Sequence, residues 1–278
     1  MSNNKVAFVG GGNMTRAIAG GLIDSGFPPC NLLISEPAAA RRRILQRELP
    51  GCTITSSNDA VAGKAGQVVL AVKPQVLPQV CRDLATTVQR SRPVVISIAA
   101  GVRSHDIESW LGGNIAVVRV MPNQPALIRK GVSGLYANEQ TSDTQRALAT
   151  EIIAAIGKVV QVSTEADIDT VTAISGSGPA YFFLLIDMLI DAGIRLGLDA
   201  ATAQTLAIET AKGASILADQ ENEPMKKLID RVRSPGGTTA AALDSLEADS
   251  VRDIFASAIT AARQRAVTMA DQAHASQD

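Results

Sequence analysis

The residues of this chain best suited to chemistry lie in two glycine-bearing segments and at the ends of several apolar runs. The first segment is Gly10-Gly11-Gly12-Asn13-Met14-Thr15, which follows an apolar run and opens an amphipathic stretch. A glycine turn between strand and helix lets the backbone approach a pyrophosphate, whose charge is met by free N–H groups at the helix start. Gly10 suits the tight turn and Gly12 the close approach, while Thr15 stands where a third small residue is usual. A plain strand-to-helix turn would use the same glycines. After the next apolar run, Ser35-Glu36-Pro37 offers a carboxylate where a ribose 2′-hydroxyl is bonded, which favours NAD(H). Arg41, Arg42 and Arg43 come next; they suit either a 2′-phosphate, which favours NADP(H), or a solvated helix face.

Three further segments close apolar runs: Ala71-Val72-Lys73-Pro74, Ala99-Ala100-Gly101 and Met121-Pro122-Asn123. Small side chains at strand carboxyl ends leave room for a ribose and a nicotinamide. Lys73 alone also fits a surface position, and Met121-Pro122-Asn123 a simple turn. The second glycine-bearing segment is Ser234-Pro235-Gly236-Gly237-Thr238-Thr239. Pro-Gly fixes a turn, Gly237 bares backbone amides, and a helix starting at Thr238 or Thr239 carries partial positive charge. That combination receives a carboxylate without any Arg or Lys; a well-capped helix start is its plainer use. Ser175-Gly176-Ser177-Gly178-Pro179 has the form of a hinge or helix entry. Cys30, Cys52 and Cys81 lack metal-ligand spacing, and His105 and His274 are the only histidines. No metal site and no histidine-based triad is therefore expected.

These segments need strands to present them. Apolar, β-branched runs at 5–9, 31–35, 52–55, 68–72, 94–98, 116–120, 132–137 and 159–162 alternate with helical stretches at 13–25, 38–48, 77–90, 105–111 and 142–155. Alternation of this kind implies right-handed crossovers and a mostly parallel sheet. Beyond Glu165 only helices are expected, at 166–174, 179–196, 200–218, 225–231, 239–246 and 251–272. Asp199 suits the cap of the third and Gly197 the stop of the second. The apolar faces of these helices, above all at 181–194, are wider than one chain can cover, so a second subunit is expected. The fold class is thus α/β, an N-terminal Rossmann-type doubly wound parallel sheet (1–164) followed by an all-helical dimerisation domain (165–278).

Composition narrows the partners. Lys+Arg number 26 against 27 Asp+Glu, so no basic excess exists to neutralise nucleic-acid phosphates. The best apolar run, 180–190, is shorter than a membrane span and carries Asp187. No apolar leader precedes the first strand, and the odd number of cysteines suits reduced thiols, so a cytoplasmic protein is expected.

Taken in order, Gly10-Gly11-Gly12-Asn13-Met14, Ala71-Val72-Lys73-Pro74, Ala99-Ala100-Gly101, Met121-Pro122-Asn123, Ser175-Gly176-Ser177-Gly178-Pro179-Ala180 and Ser234-Pro235-Gly236-Gly237-Thr238-Thr239 resemble the pyrroline-5-carboxylate reductase family. The resemblance runs from about residue 6 to about 265, and its specific segments are the two at 175–181 and 234–239. It implies reduction of 1-pyrroline-5-carboxylate to L-proline, the last step of proline synthesis, with NADP(H) or NAD(H). It also implies helical domains interlocked in a homodimer, or a ring of dimers. Carried over by position, Gly11, Gly12, Asn13 and Met14 line the pyrophosphate, with Gly10 in the same turn. Ser35 and Glu36 lie at the adenosine ribose and Asn58 near the adenosine. Ala71, Val72, Lys73 and Pro74 lie along the cofactor, and Ala99 and Ala100 at the nicotinamide. Ser234, Gly237, Thr238 and Thr239 match the substrate loop, and Glu165 a position near the substrate. Glu36 departs from the small polar residue of many relatives, and Arg231 from a frequent Asn.

The chemistry implied asks little of side chains as acids. A pyrroline nitrogen takes its proton from water, so the protein's task is to hold the ring against the hydride donor. Thr239 and Ser234 are the candidate catalytic residues: the Thr239 hydroxyl accepts from the iminium N–H, and Ser234 helps fix the carboxylate. Two alternatives remain. A β-hydroxyacid-type dehydrogenase would need a lysine and an asparagine one turn apart, but Lys212 is followed by Gly213-Ala214-Ser215-Ile216. A non-catalytic nucleotide-sensing protein of the same fold has no use for an intact substrate loop.

Overall fold

Unbroken β-branched runs suit strands covered on both faces, and these runs form the middle of one sheet. In the computed structural model, which describes residues 4–275, the strands are β1 (Val6–Val9), β2 (Leu32–Ser35), β3 (Thr53–Thr55), β4 (Gln67–Leu70), β5 (Val94–Ser97), β6 (Val117–Met121), β7 (Gly131–Ala137) and β8 (Gly157–Gln161). Their order is β3-β2-β1-β4-β5-β6-β7-β8. All neighbours are parallel except β6 and β7, where Val120 faces Leu135 in an antiparallel pair. The chain reverses direction of growth between β1 and β4, which is where ligands bind in open α/β sheets.

Alternation along each strand divides the core in two. Phe8 faces one layer with Ile18, Leu45, Ile96 and Ile153, while Ala7 and Val9 face the other with Leu77, Leu84, Ile107 and Leu111. Each fully buried Leu, Ile or Phe contributes roughly 1.5–3 kcal/mol by leaving water, so these layers fix the sheet firmly. Register then sets the site: Val9 pairs Ser35 on one side and Leu70 on the other, and Leu70 pairs Ser97. Gly10, Glu36, Ala71 and the segment leading to Ala99 therefore leave the sheet along one edge.

The helices follow the sequence pattern with small shifts at their ends. Asp199 caps Ala200–Gln220 by accepting from the Thr202 N–H at 3.0 Å, and Gly197 (φ +100°) ends Gly178–Arg195. Ser142 and Gln145 form a reciprocal capping box on Asp143–Ala154. A helix at Asn58–Ala62 was not expected; five residues are too few to show periodicity.

The chain packs as two compact units, one running to Ser177 and resuming at Ala262, the other Gly178–Ala261. The change in sequence character at 164/165 is earlier than this packing boundary, and particular contacts explain why. Gly134 lies against Val171 and Gly176 against Met121, so closely that a Cβ on either glycine would stand 2.6 Å from the neighbouring side chain. Residues 165–177 are thereby held on β6 and β7.

In the second unit, Gly178–Arg195 and Ala200–Gln220 pack together with Gly193 against Ala203. Phe182, Phe183, Leu184, Leu185, Met188 and Leu189 are all exposed. The continuous helical run Asp167–Arg195 reaches a mean hydropathy of 1.5 over an 18-residue window, long and apolar enough by composition to cross a membrane. The sequence alone suggests a shorter run, because the π turn that joins its two parts, Thr172–Gly176, is not visible there.

Candidate functional site

The sheet edge after β1 is built by a turn whose backbone geometry requires glycine at position 10. Gly10 has φ +103°, and a Cβ there would lie 2.6 Å from the Ala71 carbonyl oxygen. Its N–H donates to the Ser35 carbonyl at 2.9 Å, tying β1 to β2 at the turn. Thr15 is fully buried, and its hydroxyl donates to the Gly10 carbonyl at 2.6 Å. The unusual third residue thus braces the glycine turn from the helix that follows. Gly12 caps Asn13–Asp24 with no side-chain acceptor and no acid in the first turn, and nothing lies within 4 Å of where its Cβ would be. That helix start presents unsatisfied N–H groups to open space, which fits a pyrophosphate.

Glu36 is held in place rather than free. Its carboxylate accepts from the Gly11 N–H at 3.1 Å and the Ala38 N–H at 2.9 Å. Arg41 donates to the Gly11 carbonyl and to Asn13 Oδ1, each at 3.0 Å, while Arg42 donates to the Glu36 and Pro37 carbonyls at 2.8 and 2.6 Å. Two of the three arginines thus brace the backbone at Gly11 and at Glu36-Pro37, and Arg43 is exposed. Ser35 is fully buried, with its hydroxyl on Phe8 O and on Asn58 Oδ1 at 2.7 Å, so it orients Asn58.

Further along the edge, Pro74 and Ala100 line a groove of about 380 Å³ with Gly101, Arg265, Met269 and Gln272. Its far wall is the last part of Val251–Ala275, with Met269 Cβ 3.2 Å from where a Cβ on Gly101 (φ +69°) would sit. Ala71, Val72 and Pro74 are half-buried, Ala99 is buried, and Lys73 is exposed.

Glu165 lies in the same unit, in a network the sequence did not suggest. Its carboxylate accepts from the Ser104 N–H at 2.6 Å, the Ser104 hydroxyl at 2.7 Å and the Arg119 guanidinium at 3.2 Å. Arg119 is buried in β6 and also reaches Asp169 at 3.4 Å. Burial and the neighbouring Glu165 and Glu139 carboxylates push the Tyr136 phenol up, so it stays protonated beside them. The available signal was Arg119 itself: one arginine in an apolar strand must find buried acids. Nearby, Asn123 donates to the Ser175 carbonyl at 3.2 Å and accepts from the Val132 N–H at 3.0 Å. Met121-Pro122-Asn123 and the 175–179 segment are thus joined, through a π turn closed by Ser177 N–H on Thr172 O at 2.8 Å.

In the second unit, Gly237 caps Thr238–Ala248, again with no side-chain acceptor and no acid in the first turn. Gly236 takes φ +70°, and the Gly237 N–H closes the turn on the Ser234 carbonyl at 3.0 Å. Ser234 and Thr238 are exposed and Thr239 is half-buried. Arg233 pairs Asp244, fixing the loop to its own helix. Arg231 is engaged by Glu221 and Glu223 at 3.0 and 2.7 Å. Both glycine segments therefore present a helix start with no side-chain cap and no acid in its first turn, able to hold an anion without a side-chain cation.

The two histidines, from which no cluster was expected, are brought together. His105 Nε2 and His274 Nδ1 approach Asp106 Oδ1 at 3.0 and 2.7 Å.

Comparison with known proteins adds to this geometry. A family model described as pyrroline-5-carboxylate reductase dimerisation matches residues 165–269, and one described as NADP oxidoreductase, coenzyme F420-dependent, matches residues 5–101. The chain is 43% identical to the pyrroline-5-carboxylate reductase of Pseudomonas aeruginosa over 98% of this chain and 99% of that protein. A solved pyrroline-5-carboxylate reductase from Coxiella burnetii superposes with a TM-score of 0.92 at 39% identity, covering 96% and 99% of the two chains. The Plasmodium falciparum enzyme, solved with NADP bound, gives 0.83 at 31% identity, covering 97% and 99%.

Proposed function

The chain belongs to the pyrroline-5-carboxylate reductase family, and from that premise we infer that it reduces 1-pyrroline-5-carboxylate to L-proline, the final step of proline biosynthesis. It uses NADP(H), with NAD(H) as the alternative coenzyme. The observation that carries the reading is the pair of uncapped helix starts at Gly12 and Gly237. One suits a pyrophosphate and the other a small carboxylate.

The cofactor fits the residues present, since Gly12 borders open space and Gly10 admits the close turn. Gly12, Asn13 and Met14 would hold the pyrophosphate with their amides, while Gly10 and Gly11, whose N–H groups are taken by Ser35 and Glu36, would shape the turn beneath it. Glu36 and Asn58 would hold the adenosine side, with the buried Ser35 orienting Asn58 rather than touching the coenzyme as its position in the sequence suggested. Ala71, Val72, Lys73 and Pro74 would line the middle, and Ala99 and Ala100 the nicotinamide. When bound, the reduced nicotinamide supplies a hydride. The chain's own residues supply position. The Gly237 N–H holds the loop turn on the Ser234 carbonyl, and the amides of Thr238 and Thr239, with the Ser234 hydroxyl, grip the substrate carboxylate over the bare Cα of Gly237. The Thr239 hydroxyl accepts from the protonated ring nitrogen and keeps the ring's electrophilic carbon turned to the donor, an effect on the order of 10²-fold when well placed. Glu165, fixed by Ser104 and Arg119, is assigned to the substrate side.

The functional division that accompanies this is a dinucleotide-binding part, 1–164, and a substrate-binding and dimerisation part, 165–278. A homodimer, or a ring of dimers, would cover Phe182, Phe183 and Leu184. That use of the apolar helix is favoured over a membrane by the match of the dimerisation model to it. A net charge of −1 gives nucleic acid no electrostatic hold, and three free thiols suit the cytoplasm. A spectrophotometric assay with pyrroline-5-carboxylate, run with NADPH and NADH in parallel, tests the reading. Oxidation of neither coenzyme would refute it.

A further inference from the structure

The reductase chemistry makes no use of histidine, yet the chain's two histidines converge on one buried acid. His105 and Asp106 lie in the first turn of Ser104–Trp110, and His274 near the end of Val251–Ala275, so Asp106 and His274 are 168 residues apart in sequence. Asp106 is 1% exposed, whereas His105 and His274 are 56% and 59% exposed. Their rings do not stack: the centroids are 5.2 Å apart at a tilt of 55°, and one nitrogen of each points to the same oxygen. All three donor atoms lie within 4.8 Å of one another.

We propose that His105 Nε2, Asp106 Oδ1 and His274 Nδ1 form a binding site for a late first-row divalent cation of the zinc class. Two imidazoles and a carboxylate are a borderline donor set that suits such ions over magnesium or calcium. Metal–ligand lengths of about 2.0–2.1 Å put tetrahedral donors roughly 3.3 Å apart. The observed 2.7 and 3.0 Å separations open by a few tenths of an ångström, and rotation of the two exposed rings sets the distance between their nitrogens, which lie within 4.8 Å of each other. The exposed histidine edges leave remaining positions to water.

The site has a consequence for the fold. Arg103 pairs Asp271 one helical turn before Asp106 meets His274, so two rungs join the same pair of segments. A cation at the second rung pins the C-terminal helix, whose Arg265 and Met269 wall the groove beside Pro74 and Ala100. It pins it to the helix whose first residue, Ser104, holds Glu165.

The test uses the full-length protein freed of metal by chelation and then titrated with zinc or cobalt(II). One equivalent of cobalt(II) per chain should give visible absorption bands that zinc abolishes, and zinc in excess should raise Tm by roughly 5 °C. His274→Gln and His105→Gln, both at exposed positions, should each lose the bands and the Tm rise while folding normally. Cys30→Ser should keep both, setting aside the exposed thiol. Absence of bands and of a Tm shift in the unaltered protein would overturn the proposal and leave a hydrogen-bonded clasp; so would their persistence in His274→Gln.

Discussion

Arg119 and Glu165 meet at 3.2 Å with the guanidinium 2% exposed. A sheet residue thereby sets a carboxylate assigned to the substrate side. Removing the cation leaves the buried Asp169 without its counter-ion and Glu165 with only its Ser104 hydrogen bonds, while the cost of burying the acids remains. Arg119→Met is expected to lower unfolding free energy by about 3 kcal/mol, measured by urea denaturation at fixed protein concentration. A loss within the error of the measurement would show that the network is not needed for folding.

The Thr15 hydroxyl braces the Gly10 carbonyl at 2.6 Å. Thr15→Val keeps the shape and removes that bond, worth about 1 kcal/mol. The expected outcome is a KM for the coenzyme raised roughly fivefold with kcat nearly unchanged, since only uniform binding is affected. An equal fall in kcat would place Thr15 in the chemical step instead.

In the proposed site Glu36 would put negative charge at the adenosine ribose, where a 2′-phosphate would repel it. Glu36→Ser is expected to raise the ratio of kcat/KM for NADPH over NADH about tenfold or more, the size of one close charge pair in a partly screened site. Initial rates with the two coenzymes measure it, and an unchanged ratio would show that Arg41 to Arg43 set the preference.

Burial pushes the Cys52 thiol up to about 11, with Cys30 adding to the shift, and the Cys81 thiol up to about 12, where Arg82 opposes it. Raised values mean that the reactive thiolate appears only as pH approaches those figures. At pH 8 iodoacetamide should therefore label the exposed Cys30 first, with Cys52 and Cys81 following as pH is raised. Peptide mapping by mass spectrometry reads the order, and early labelling of Cys81 would contradict the packing.

Much of this architecture was legible in the sequence because the strands announce themselves. Val6–Val9 and Val94–Ser97 have no polar break before their last residue and no use but a doubly covered sheet. The eight runs became eight strands in one sheet, and both glycine segments became helix starts. What was not legible depends on tertiary pairing. The antiparallel turn between β6 and β7 depends on Gln124–Ile128 folding as a short 3₁₀ segment. Ser104, Arg119, Glu165 and Asp169 are brought together from three separate elements, and no periodicity within one element reports such a meeting. The same holds for His105 and His274. The role of Thr15 needed the distance to Gly10, since its type alone marked only a departure.

The central claim is that the helix start at Gly237–Thr239 grips the substrate and that Thr239 serves the hydride transfer. Kinetics of Thr239→Val, with the NADPH dissociation constant measured on the same protein by fluorescence, test it most directly. The account predicts a fall in kcat on the order of 10²-fold with the NADPH dissociation constant within twofold of the unaltered enzyme. A weakened coenzyme affinity with kcat preserved would contradict it.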